Sequence, residues 1–449
     1  MRVKAFKTFD RIRSSFWFLP ATMASGAMVL AFATVALDTP VTDWLALNWG
    51  LAFTGGAEGA SALLGAIASS MITIAGVVFS MTLVALSLAS SQLGPRLLRN
   101  FMRDTMTQVV LGTFVATFLY CLLVLRTIRR AEETLFVPHL SVTLGVLLAV
   151  VSVGVLIYFI HHVSVSIQAN EIVARVGKDL IERIDRLFPE NIGRSARRIS
   201  TDPANADFLD RFDREARPIG SPGDGYLQFV DGAALMALAE KEDIVIRVEP
   251  RPGHYVVAKR PVALVWPGSR VTEQLTDRIH AAFALGNQRT SAQDIEFGVN
   301  ELVEIAIRAL SPGVNDPFTA MTCVDRLGSA LCRLAQRDMP SPYRYDTQGQ
   351  LRVIAHVFTF PDVTDAAFNQ IRQYGRSSTA VTIRLLETIA EVAGYVHRSE
   401  DRIALLRHAE MIVRGAVGGL PEDEDRQEVE RCFQAVNLLL SEATAANPP

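Results

Sequence analysis

Residues 59–95 read GASALLGAIASSMITIAGVVFSMTLVALSLASSQLGP and lie between Glu58 and Arg96 without one formal charge. A single centred Asp, Lys or Arg costs roughly 2.5–3.5 kcal/mol on insertion scales, so a run of this length without one is a membrane span. It exceeds the ~20 residues a span needs. At ~1.5 Å per residue it covers roughly 50 Å, so a continuous helix here tilts or projects beyond the hydrocarbon.

The side-chain pattern says more than the length. At ~100° per residue, Ala62, Gly65, Ser69, Thr73, Gly76, Ser80, Ser87 and Ser91 fall within about 40° of one line along the helix. Leu63, Met71, Ile72, Val78, Phe79, Met81 and Leu86 take the other side. Two readings compete for the small face. One is close helix–helix packing, because small residues let backbones approach. The other is a pathway lining, in which Ser69, Thr73, Gly76, Ser80, Ser87 and Ser91 face water and the hydroxyls solvate a passing ion. In a homo-oligomer both hold at once.

Of the 449 residues, 49% are hydrophobic, and the mean hydropathy is +0.24. The chain therefore has room for a membrane bundle and a globular domain. Charge divides sharply. Residues 1–162 carry 11 Lys/Arg against 7 Asp/Glu, a net of +4, while the remaining 33 and 40 leave 163–449 at −7. The acidic C-terminal part argues against nucleic acid as a partner, since a phosphate-binding surface needs a concentrated basic excess. Cys121, Cys323, Cys332 and Cys432 show no paired spacing, which points to a reducing compartment without a disulfide framework. No histidine falls in a ligand-spaced cluster, so neither a metal nor another cofactor is expected. The apolar run 16–37 is too long for a signal peptide and reads as an uncleaved first span.

Four spans are predicted, at 16–37, 60–92, 106–125 and 139–162. Five Lys/Arg precede the first, none separates the first from the second, and Arg96, Arg99 and Arg103 follow the second. Counted this way, the N-terminus and the loop at 93–105 are cytoplasmic, and an even number of spans returns the C-terminus to the same side. Arg126, Arg129 and Arg130 then fall outside, offset in part by Glu132 and Glu133. The helical spacing of Ile172, Val173, Val176, Leu180, Ile184 and Leu187 predicts one long helix that carries the fourth span past His161–His162 to Pro189. That histidine pair reads as an interfacial anchor, with pH sensing as the alternative.

Residues 190–223 read as an irregular charged linker. Strands are predicted at Tyr226–Val230, Ile244–Val248 and His254–Ala258, the last continuing toward Val262–Trp266, with a helix at Gly232–Lys241. Helices follow near 270–285, 293–310, 317–337, 362–373, 377–396, 400–418 and 424–443, interrupted by a lone strand at Leu351–Phe360. The fold class is thus an α-helical membrane bundle of four transmembrane helices followed by a mainly α, α+β cytoplasmic domain. Its parts are a four-span domain at 1–162, a helical extension and linker at 163–222, and a cytoplasmic domain at 223–449.

The sharpest soluble motif is RTSAQDIEFGVNELVEIAIRALSPGVNDPFTA, residues 289–320. Asp294 begins a helix, Glu304 and Arg308 stand i,i+4 in the favourable order, and Ser311-Pro312-Gly313 ends it. Asp316 is then the N-cap of the next helix and Pro317 its first residue. A tight helix–turn–helix corner explains these residues. A ligand-binding or coupling role is the alternative, with Arg289, Asp294, Arg308, Asn315 and Asp316 converging on a polar pocket.

This motif, together with TIAGVVFSMTLVALSLASSQLGPRLLRNFMRD at 73–104, resembles a bacterial family of predicted inner-membrane proteins defined by a domain of unknown function. The resemblance covers nearly the whole chain. It implies an integral inner-membrane protein with an N-terminal span bundle and a C-terminal cytoplasmic domain, and it transfers no activity.

No GxxxxGK[ST], GxGxxG, GxSxG or HExxH signature occurs, so no enzyme is expected. The span interiors lack Asp, Glu, Lys and Arg, which argues against a proton pump and leaves a passive pore. The leading expectation is a homo-oligomeric channel-like protein in the lipid bilayer that passes small ions along the second span, with Arg96, Arg99 and Arg103 biasing the inner mouth toward anions. The alternative is a non-conducting sensor or scaffold whose cytoplasmic domain binds a ligand or protein partner.

Overall fold

Four apolar helices open the chain: α1 (Phe18–Asn48), α2 (Ala57–Leu93), α3 (Thr105–Thr127) and α4 (His139–Ser166). Each contains a segment long and apolar enough to cross a bilayer, at Phe18–Asp38, Ala57–Leu88, Thr105–Thr127 and His139–Val165. The computed structural model that shows them describes residues 16–48, 55–93, 104–129, 136–166, 168–188 and 203–445. The described residues divide into two units between Glu171 and Ile172, whereas the sequence reading drew that line at 162/163.

Within the membrane unit, α3 is the hub and packs against each of the other three helices. A Cβ on Gly112 would stand 3.3 Å from the Cα of Pro20 and press on Met23. Bare glycine there lets α1 lie close against α3, the usual route to packing between apolar helices in lipid. Phe114, Tyr120, Cys121 and Val124 of α3 are fully buried with Leu64 of α2 and Val142 of α4. Polar groups at this depth need partners inside the protein. Thr117 and Ser152 meet at 3.1 Å, and the Tyr120 hydroxyl donates to the Ser141 carbonyl at 3.0 Å. Val29, Phe32, Leu147, Val150 and Ile157 stay exposed, as lipid-facing residues do.

The long helix predicted from His139 to Leu187 is interrupted. α4 stops at Ser166 and α5 (Ala169–Leu187) begins after it. The preceding Val163-Ser164-Val165-Ser166 alternates β-branched and hydroxylated residues, which are weak helix formers. The Ser164 hydroxyl donates to the Ile160 carbonyl at 2.8 Å, a competition that bends or ends helices.

The C-terminal unit also departs from the linker expected at 190–223. Its described part holds α6 (Pro203–Glu215) and β1 (Arg217–Gly220). Phe212 of α6 is fully buried in a cluster with Val245 and Ile354, and this apolar anchor orders a charged stretch. β2 (Gly225–Val230), α7 (Gly232–Glu242), β3 (Val245–Val248), β4 (Tyr255–Val256), β5 (Pro261–Trp266), α8 (Glu273–Ala281) and β6 (Phe283–Gly286) follow, with β7 (Tyr343–Tyr345) and β8 (Leu351–Ala355) further along. The predicted helix at 270–285 therefore ends early, because its last residues pair with β2. The strand at 351–360 is not alone either: it stops at Ala355 and pairs with β7 and β3. A five-stranded sheet runs β1-β5-β3-β8-β7 and a three-stranded sheet runs β4-β2-β6. In the larger sheet β3 and β8 are parallel, with Ile246 opposite Val353.

The rest of the unit is helical: α9 (Ile295–Ala309), α10 (Pro317–Ala335), α11 (Phe360–Gly375), α12 (Thr379–Ala393), α13 (Ser399–Gly419) and α14 (Asp423–Ala445). α9 packs against α10 and α11, while α12 packs between α10 and α14. Thr359 and Asp362 close the start of α11 as a capping box, in which side chains and backbone amides satisfy each other reciprocally.

Candidate functional site

The second span meets the rest of its unit through Ala60, Leu64, Ala68, Met71, Ala75 and Val78, all buried. These residues and the small face point about 150° apart at ~100° per residue. Ser69, Thr73, Gly76, Ser80 and Ser87 are accordingly exposed. The small face does not serve packing within the chain, and a Cβ on Gly76 would find nothing within 4 Å. Thr73, Gly76 and Ser80 line a shallow groove of about 630 Å3, rimmed by Met81, Leu88 and Val163. The Thr73 hydroxyl donates to the Ser69 carbonyl at 2.8 Å, and the Ser69 hydroxyl to the Ala66 carbonyl at 3.1 Å. The side chain of Ser91, and Arg96, Arg99 and Arg103, lie outside the described residues.

Of the histidine pair, His161 is exposed. His162 sits 2.9 Å from the carboxylate of Asp104, which is the N-cap of α3, and its ring stacks on Tyr158 at 5.9 Å. The imidazole thus ties the start of α3 to the end of α4.

The motif at 289–320 forms the corner its sequence predicts, but its five polar residues do not converge. Arg289 grips Asp294 through two bonds, 2.8 Å from Nε to Oδ2 and 3.0 Å from Nη2 to Oδ1. Asp294 is fully buried and also accepts from the Phe297 amide at 3.1 Å as the N-cap of α9. Arg308, Asn315 and Asp316 lie at the other end of α9, roughly 20 Å away at ~1.5 Å rise per residue. There Arg308 pairs with Glu304 at 3.6 Å, Asn315 takes a left-handed φ of 50°, and Asp316 caps α10 through the Thr319 amide at 3.1 Å. These three shape the turn.

The residues that do gather around Arg289 and Asp294 come from elsewhere. Arg251, in the turn before β4, donates to Glu296 at 2.6 Å and to Asp362 at 3.4 Å, and its guanidinium lies 4.7 Å above the ring centre of Phe358. Arg289 reaches Glu296 at 3.7 Å. Burial pushes the Glu296 carboxyl above its usual range even with Arg251 beside it. Burial also pushes His254 below its usual value, helped by the charges of Arg251 and Arg289. The result is a closed ion-pair network in which every carboxylate has a cation. It locks the turn before β4 to the starts of α9 and α11. Arg251 and Asp362 carry no local signal, because the three segments that meet are distant in sequence. Glu296 was visible only as a first-turn acid.

Among the described residues, no group of three or more His, Cys, Asp or Glu is placed to hold a metal ion. An uncharacterized protein of Mycobacterium bovis and one of Mycobacterium tuberculosis are each 32% identical to this chain over 455 residues, covering 98% of it and 84% of their own length. No solved structure matches. The predicted membrane protein family DUF2254 matches residues 13–391, through all four spans and on to α12 in the C-terminal unit, and the chain belongs to that family.

Proposed function

We propose that the protein is a homo-oligomeric, channel-like protein of the inner membrane, not an enzyme, in which copies of α2 surround a common axis and small ions pass along their hydroxylated faces. One observation supports this reading. Ser80 and Ser87 are exposed on the side of α2 turned away from its own bundle, and neither hydroxyl has a hydrogen-bond partner in the chain among the described residues. A hydroxyl left facing hydrocarbon costs on the order of 1–3 kcal/mol. A wet lumen or a neighbouring copy removes that cost.

Where Ser69 and Thr73 give their protons to the helix backbone, their oxygens offer lone pairs outward. That arrangement suits a cation better than an anion, and in this reading Arg96, Arg99 and Arg103 serve as positive anchors at the cytoplasmic end. In this reading both termini are cytoplasmic. In the competing sensor or scaffold reading the same faces only pack against each other. Planar-bilayer recording and liposome flux on the purified protein separate the two. We expect current from the wild type and none from Ser80→Leu, with oligomer mass by light scattering the same for both. Electrical silence of an intact wild-type oligomer removes conduction, and a monomeric wild type removes the assembly as well.

A further inference from the structure

A cavity of about 460 Å3 opens in the C-terminal unit. Its walls are apolar and come from three places: Val248 and Val353 on neighbouring strands, Leu235 and Met236 on α7, and Leu187 and Phe188 at the end of α5. The size and lining are those of a small-molecule pocket, which is typically a few hundred cubic ångströms with a few polar groups.

Two of the polar groups around it are already engaged. The Gln293 amide clamps Val230, accepting from its N–H at 2.8 Å and donating to its carbonyl at 3.1 Å. Arg251 is held by Glu296 and Asp362. Arg344 differs. Among the described residues its only side-chain hydrogen bonds are made by Nη1, to the backbone carbonyls of Ser341 and Tyr343, and no carboxylate pairs with it. Arg344 is exposed to solvent at the edge of the cavity it helps to line. A cation without a paired carboxylate, standing at the edge of an apolar cavity, offers a place for the head of an anion whose apolar body fills the space.

We propose that this cavity binds a small amphipathic anion, its carboxylate or phosphate head on Arg344 and its apolar body against Met236, Val248 and Val353. Tyr345 and His356 also line the space and supply further donors for the head. An occupant would rest against Leu187 and Phe188, so binding would bear on the end of α5. The site does not depend on conduction by α2, and the two are read in separate assays.

The test uses the full-length protein in lipid nanodiscs, with empty nanodiscs subtracted, and isothermal titration of three probes. These are 2-naphthoate, which has both head and body, 2-naphthalenemethanol, which has the body without charge, and inorganic phosphate, which has charge without the body. We expect 2-naphthoate to bind at least roughly tenfold more tightly than either comparison probe, the ratio a single ion pair of about 1.4 kcal/mol gives. Arg344→Gln should weaken it by a similar factor, Arg344→Lys should restore part of the loss, and Met236→Trp should fill the cavity and abolish binding. Circular dichroism melting of each variant confirms that it is folded. The proposal is overturned if the alcohol or phosphate binds as well as the naphthoate, if folded Arg344→Gln and Met236→Trp bind like the wild type, or if 2-naphthoate does not bind at all.

Discussion

Asp38, at the end of the apolar segment of α1, caps the first turn of α4 through Ser141: its Oδ2 accepts from the Ser141 amide at 3.1 Å and from the Ser141 hydroxyl at 2.9 Å. Oδ1 takes the Leu140 amide at 3.0 Å. A helix start leaves amides without internal partners and carries partial positive charge, so a buried carboxylate from another helix answers both needs. The Ser141 carbonyl is held in turn by Tyr120, which also meets Thr34 at 3.0 Å, so α1, α3 and α4 share one network.

Asp38→Ala should therefore lower stability by about 1.5–3 kcal/mol, the usual loss when hydrogen bonds to a charged acceptor are removed. Asp38→Asn, which keeps one acceptor oxygen, should cost less. Thermal unfolding in detergent, followed by size-exclusion fluorescence, reads both. An Asp38→Ala midpoint equal to the wild type would remove the cap as a stabilising contact.

Arg183 of α5 and Glu301 of α9 lie 3.7 Å apart, with Glu301 almost wholly buried. A Cβ on Gly298 would stand 2.7 Å from the Arg183 guanidinium, so that glycine clears its space. Removing one partner from a buried pair strands the other charge, whereas replacing both by apolar groups is often neutral. Glu301→Leu alone, which strands Arg183, should cost about 3–5 kcal/mol, and the Glu301→Leu/Arg183→Met double variant far less than the sum of the two single losses. A double-mutant cycle by chemical denaturation measures this, and additive losses would show that the pair has no coupling.

The four spans were legible because the absence of charge over a long run has one physical meaning, and the motif corner because Asp294, Pro312, Gly313 and Asp316 act locally. What stayed hidden depends on pairs distant in sequence. Nothing local marks Ile246 as the partner of Val353, or Asp38 as a cap for Leu140 and Ser141. The strand at Phe283 was hidden because its helix-like pattern continues from α8 and only the pairing with β2 overrides it. The small, hydroxylated face of α2 was legible as a stripe, but its exposure depends on which side α3 and α4 occupy. Arg251 and Asp362 were missed because a guanidinium that joins three segments leaves no spacing to read.

His408 is fully buried on α13, 2.7 Å from Asp365, with the Phe368 ring edge-on at 5.7 Å. Burial pushes its pKa down, with Arg407 and Arg372 adding to that and Asp365 opposing it. A depressed folded value means that the neutral ring stabilises the fold above the unfolded histidine value of about 6.5. The contribution is lost as pH falls from there through the lower folded value. The wild-type melting midpoint should thus drop between neutral and mildly acid pH more than that of His408→Gln. Parallel pH profiles for the two proteins would count against His408 as the titrating group.

Gly253 and Gly349 both take positive φ, 96° and 77°, but in different surroundings. A Cβ on Gly349 meets nothing within 4 Å, whereas one on Gly253 lands on the Asp294 carboxylate with the Arg289 guanidinium beside it. Gly349→Ala therefore measures the backbone cost alone, about 1–3 kcal/mol for a side chain in this region. Gly253→Ala carries that same cost and must also push Asp294 off Arg289 or shift the turn that holds Arg251. It should destabilise the C-terminal unit clearly more than Gly349→Ala in denaturant melts. Because Asp294 caps α9, the excess should appear as faster hydrogen exchange of the Phe297 amide, a change Gly349→Ala should not produce. Equal losses for the two variants, with Phe297 equally protected, would mean that the Arg289–Asp294 pair does not depend on the close approach of this turn.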